Sequence, residues 1–198
     1  MMRVITYWTD DRYRALAERM ISSARAVGLE AGGYAVPNES GVWMDGMNKK
    51  PGVVLQAMKD FPNDSILFVD ADCIFASAPA ILDDLQHDAD VACYFNAPRQ
   101  PMSSVIWFRA GSGLRIAELW VEEMKKNPGR LDDHVALQNA LDQVHPRARV
   151  LHLPASYCWI EEWFRERFGP ITPVIVHLAV GEHRTLDLTW KKTKDSLF

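Results

Sequence analysis

The stretch Ser65–Phe75, SILFVDADCIF, constrains this chain more than any other. Ile66, Leu67, Phe68 and Val69 form an unbroken apolar run, the pattern of a buried strand. Asp70 and Asp72 interrupt that run, and Ile74 and Phe75 resume it. A carboxylate in such surroundings costs several kcal/mol unless it is paired or bound to a metal. In an extended backbone, residues i and i+2 point to one side. The pair is therefore expected to converge on one hard cation, Mg²⁺ or Mn²⁺, directly or through water, with phosphate oxygens completing the shell.

Around this stretch, apolar strands alternate with amphipathic segments. RVITYWT reads as a first strand and DDRYRALAERMISSARAVGLE as a helix, capped by Asp10 or Asp11 and closed by Gly28. EAGGYAVP is a weaker strand, NESGVWMDGMNKKPG reads as a loop, and PGVVLQAMKDFP is a helix with Pro51 in its first turn. After the acids come a short helix (APAILDDLQHD), two strands (ADVACYF, SSVIWFRAG) and two helices (SGLRIAELWVEEMKK, DDHVALQNALDQV). ARVLHLP and PVIVHLAV are late strands. This order predicts an α/β fold: a mixed, mainly parallel Rossmann-like sheet with helices on both faces. In such sheets ligands bind beyond the carboxyl ends of the strands, which is where Asp70 and Asp72 fall.

At 198 residues the chain fits one domain, expected over 1–190, with 191–198 as an exposed tail. A net charge of −4 gives no case for a nucleic-acid partner. Cys73, Cys93 and Cys158 show no CxxC spacing and read as reduced thiols of a cytoplasmic protein. No signal peptide and no membrane-spanning run is visible.

Other residues suggest partners for the acids. His177, after the apolar run PVIV, offers an imidazole as a third metal ligand beside two carboxylates. Arg184 carries a planar fork suited to a diphosphate. Lys49 and Lys50 precede the Pro51 helix, and either supplies a cation there. Asp133 opens a helix, where Asp is a favoured first residue; Asp132 as the cap would release Asp133 for other work. Thr6 and Tyr7 end the first strand at the same sheet edge, and Tyr7 or Trp8 could stack on a base. Trp159 and Trp163 suit either an acceptor cleft or the core, with the core preferred.

ILFVDADCIFASAP resembles the DxD region of GT-A fold glycosyltransferases. NKKPGVVLQAMKDFPND resembles their lysine-plus-helix segment, and SSVIWFRAGSGLRIAELWVEEM a later strand and helix. DDHVALQNAL resembles D-Q-x-x-L-N, and VIVHLAVGEHR resembles H-x-x-G-x-x-K. These segments stand in the family's order from Arg3 to about Arg184, most like glycogenin and plant xylosyltransferases. The chain departs from the pattern at Ser103 or Ser104 (for Asn), His134 (for Gln) and Arg184 (for Lys). The resemblance implies metal-dependent transfer of a hexosyl or pentosyl group, with retention, from a nucleotide-diphosphate sugar to an unknown acceptor. Mn²⁺ (or Mg²⁺) would be held by Asp70, Asp72 and His177, with Asp70 also facing the ribose. Lys49, favoured over Lys50, and Arg184 would hold the diphosphate, Thr6 and Tyr7 the base and ribose, and Asp133 the sugar. Two other readings stand beside it. One is a non-catalytic nucleotide-binding module of the same fold, and the other is a DxD phosphohydrolase.

Overall fold

In the computed structural model, residues 1–41, 43–84, 88–126 and 132–178 are described. The expected tail over 191–198 and Arg184 lie outside them.

The chain runs β1 (Met2–Trp8), α1 (Asp11–Ala26), β2 (Glu30–Ala35), α2 (Trp43–Met47), α3 (Lys50–Asp60) and β3 (Ser65–Val69). It continues through β4 (Cys73–Phe75), α4 (Ile81–Asp84), β5 (Val91–Ala97), β6 (Gln100–Phe108), α5 (Leu114–Lys126) and α6 (Asp133–Val144). β7 (Val150–His152), α7 (Glu161–Phe168) and β8 (Ile175–His177) complete it. The main sheet has the order β2-β1-β3-β6-β5-β7. β2, β1 and β3 pair in parallel, as do β5 and β7, and β6 runs against both of its neighbours. The expected mixed, mainly parallel sheet is therefore present.

Strand periodicity builds two cores from β3. Ile66 and Phe68 face α3, α5 and α6, together with Val54, Trp120 and Leu137. Leu67 and Val69 face the other way, toward Met20 and Ala24 of α1 and Cys73 and Phe75 of β4. All four strand residues are fully buried, each contributing about 1.5–3 kcal/mol relative to exposure. β2 is the weak strand the sequence suggests, and one of its glycines is required by space. A Cβ on Gly33 would sit 2.8 Å from the Trp8 ring.

Two features differ from the sequence reading. The segment read as a loop contains the short helix α2. The two acids also do not lie on an extended strand. Cys73 N–H donates to the Asp70 carbonyl at 3.0 Å, closing a turn between β3 and β4. Leu178 N–H donates to the Asp72 carbonyl at 2.9 Å and ties that turn to the end of β8. The acids converge through a turn, since strand alternation ends at Val69.

Candidate metal centre and active site

Four chain segments meet at the carboxyl end of β3, each for a legible reason. The apolar run stops at Val69 and leaves Asp70 at the strand end. β6 runs antiparallel to β3, so its beginning lies beside that end, and Asp70 N–H donates to the Ser104 carbonyl at 2.8 Å. Lys50 and Pro51 open α3 there. Asp133 opens α6 there, with Asp132 as its N-cap accepting from His134 N–H at 3.0 Å. The cap and its neighbour thus divide the work.

Lys50 is the hub. Its Nζ lies 2.8 Å from Asp133 Oδ2 and 3.0 Å from Asp70 Oδ1, and donates to Ser103 Oγ at 3.0 Å. Ser103 Oγ in turn donates to Asp133 Oδ2 at 2.8 Å. Lys50 is 4% exposed and Asp133 1%. Burial disfavours the Lys50 ammonium, but Asp133 and Asp70 outweigh it and hold the pKa well above the usual lysine range. Burial likewise pushes the Asp133 carboxyl up, yet Lys50, His134 and bonds from Asp132 and Lys50 bring it well below the carboxylate range.

The second half of the site is less balanced. His177 Nε2 lies 3.3 Å from Asp72 Oδ1 and 3.9 Å from Asp70 Oδ2. Burial lowers the imidazole pKa, but Asp72 and Asp70 raise it further than burial lowers it. The Asp70 carboxyl is pushed up by burial and by Asp72, despite Lys50. Arg19 of α1 feels the Asp72 charge, while burial lowers its own pKa; its Nε and one terminal nitrogen are buried without hydrogen-bond partners among the described residues.

Both shifts favour the protonated forms of Asp70 and His177. That is the signature of carboxylate charge in excess of the neighbouring cations, and a divalent ion relieves it by displacing protons. The donor set fits such an ion: two carboxylates and one imidazole suit Mn²⁺ or Mg²⁺. The buried Nδ1 of His177 has no hydrogen-bond partner among the described residues. The nitrogen that faces both carboxylates is Nε2.

The structure brings together Asp70, Asp72, Asp133 and His177 from the sequence reading. It places Lys49 elsewhere: that ammonium donates to the Pro37 carbonyl at 2.6 Å. Lys50 meets the acids because it begins α3 and its side chain turns toward β3, over the Phe68 ring. Asp133, expected at the sugar, has its carboxylate buried against Lys50 and Ser103. Thr6 is fully buried and its hydroxyl has no hydrogen-bond partner among the described residues. The Tyr7 hydroxyl donates to the Gly46 carbonyl at 3.0 Å, and burial raises its pKa. Trp159 is core and Trp163 is 56% exposed. Sequence reasoning did not place Ser103 on Lys50, and it missed Arg19. Ser103 carried one signal, its place at the start of a strand that could pair with β3; Arg19 carried none.

No protein-family model matches the sequence, and no curated protein matches it. Solved structures do. One is a glycosyltransferase involved in glycosylating the major capsid of PBCV-1, with TM-score 0.69 and 13% identity over 91% of this chain and 94% of that one. Another is the galactosyltransferase LgtC in complex with donor and acceptor sugar analogues, with TM-score 0.61 and 11% identity over 98% and 94%. A third is the glycosyltransferase GlyE of Streptococcus pneumoniae TIGR4, with TM-score 0.56 and 14% identity over 89% and 54%. This chain has the fold of these enzymes, the GT-A glycosyltransferase fold.

Proposed function

We propose that the chain transfers a sugar from a nucleotide-diphosphate donor, with Mn²⁺ or Mg²⁺ held by Asp70, Asp72 and His177. The observation that carries this is the convergence of those three side chains at the carboxyl end of β3, in a fold shared with glycosyltransferases. The cation, when bound, supplies Lewis acidity that neutralises charge on the departing nucleoside diphosphate.

The chain's own residues do the rest. The phosphate role expected of Lys49 passes in this proposal to Lys50, whose ammonium is fixed and kept charged by Asp133 and Asp70. A preorganised charge stabilises a leaving group without reorganising at the moment of reaction. Asp133 becomes a positioning residue that acts through Lys50. Arg184 is the proposed second phosphate contact, and Thr6 and Tyr7 mark the strand end proposed to border the ribose and base. Retention at the anomeric carbon belongs to the same proposal and is read directly from the product by NMR.

The test is a thermal-shift panel of nucleotide sugars, each with and without Mn²⁺. A donor that binds only the folded state raises Tm by mass action. A metal-dependent shift with one donor, followed by slow donor hydrolysis or transfer, is the expected outcome. Binding without turnover would favour a non-catalytic module, and release of inorganic phosphate would favour a phosphohydrolase. No shift with any donor would sink the proposal.

A further inference from the structure

Beside the two aspartates stands a donor of another kind. Cys73 follows Asp72, is fully buried, and is the cross-strand partner of His177 in the β4–β8 ribbon. Residues directly opposite in an antiparallel pair project to one face, with Cβ atoms roughly 4.5–5.5 Å apart. The Asp72 carboxylate, the Cys73 thiol and the His177 imidazole each offer one ligand atom, and the three atoms lie within 4.8 Å of one another. His177 Nε2 and Asp72 Oδ1 are already 3.3 Å apart. A tetrahedral Zn²⁺ with sulfur at ~2.3 Å and nitrogen and oxygen at ~2.0–2.2 Å sets its ligand atoms roughly 3.5 Å apart. Closing the cluster therefore takes a contraction of at most about 1.3 Å.

We propose that Cys73 is a cation ligand, and that Asp72, Cys73 and His177 form a three-donor site for a borderline-soft divalent ion of the Zn²⁺ or Co²⁺ class. This rests on the reading of Asp70, Asp72 and His177 as a cation site and extends it to the choice of metal. A hard ion takes the carboxylates and passes over the thiol. A softer ion takes sulfur, nitrogen and one oxygen, leaving a fourth position open. On binding, the S–H bond breaks, the proton leaves to solvent, and the sulfur lone pair forms the metal–sulfur bond, with no change of oxidation state. Asp70 then stays with Lys50. The two ion classes share Asp72 and His177, so each excludes the other.

Co²⁺ reports sulfur ligation directly, through an intense near-ultraviolet charge-transfer band absent from oxygen and nitrogen sites. The expected result is that band in the unaltered protein. It is lost in Cys73→Ala and Cys73→Ser, and it persists in Cys158→Ala, whose thiol instead lies against Ser104 Oγ at 3.0 Å. Calorimetry should show Zn²⁺ affinity falling roughly tenfold or more in Cys73→Ala while Mn²⁺ affinity changes little. A Co²⁺ complex without the band, or a band that survives in Cys73→Ala or vanishes in Cys158→Ala, overturns the thiol ligand. If Mn²⁺ still binds the unaltered protein and is lost in Asp72→Ala, the underlying cation site stands even then. Failure of every ion to bind the unaltered protein, or equal binding by Asp72→Ala, removes that site and this inference together. The spectrum of the unaltered protein depends on no variant folding.

Discussion

The two halves of the acid cluster are built on opposite principles. Around Lys50, the ammonium reaches Asp133, Asp70 and Ser103, and Ser103 closes the ring onto Asp133. Around His177, two carboxylates crowd one imidazole, one of whose nitrogens is buried without a hydrogen-bond partner among the described residues. The first half is complete within the protein; in the second, Asp70 and His177 are both shifted toward their protonated forms, which is where a cation fits. A charge that is satisfied internally is held in one place. A charge that is left over points to a ligand.

The largest expected effect breaks the complete half. Lys50→Met strips Asp133 and Asp70 of their shared counter-ion. Removing one partner of a buried pair costs about 3–5 kcal/mol, and each kcal/mol lowers Tm by roughly 2–4 °C at this chain length. Lys49→Met should cost no more than ~0.5 kcal/mol. Thermal denaturation of both variants decides it: equal losses would erase the distinction between the two lysines.

Asp72→Ala strikes the other half and should behave in the reverse way. Mn²⁺ affinity falls by about 100-fold or more, beyond the 10–100-fold typical of residues that merely support a ligand. Tm without metal falls less than in Lys50→Met, because only the pairing with His177 is lost. Isothermal calorimetry and a melt on the same sample check both parts.

Asp133→Asn keeps volume and removes charge. Asp132 remains the cap, so the helix start should hold to within a few tenths of a kcal/mol. Lys50 loses one of two carboxylates, and turnover at saturating donor should fall while donor affinity changes little. An active, equally stable Asn variant would remove the positioning role.

The smallest effect is in pH. The His177 pKa is raised on folding, so its contribution is fully present below about pH 6.5 and is lost as pH rises through the folded value. Asp70 is raised too, and its contribution also fades as pH rises. Asp133 is depressed, so its contribution is present above about pH 4 and is lost only in strong acid. Without metal, Tm should therefore drift down as pH rises above about 6.5. With saturating Mn²⁺ the drift should shrink or reverse, because rising pH removes the competing protons. Parallel curves with and without metal would show that these groups do not hold it.

Much of this was legible in the residues. The run Ile66–Val69 followed by two acids dictated a buried strand ending in charge, because apolar area must be buried and carboxylates must be compensated. The alternation of strands and helices gave the layered sheet and the edge at which a site would form. His177 could be named as a candidate because an imidazole is a good third ligand beside two carboxylates.

Which lysine met the acids, and what Cys73 faced, was decided only by tertiary structure. Lys49 and Lys50 are adjacent and chemically identical; the orientation of the first turn of α3 against β3 sends Lys50 inward and Lys49 to the Pro37 carbonyl. Ser103 reached Lys50 because β6 runs antiparallel to β3. Cys73 came opposite His177 through a strand pairing between residues 104 apart in sequence. Local patterns fix what a residue must do with its own burial and charge. Its partners are set by register and chain direction, which depend on the packing of the whole sheet and leave no trace in a single segment.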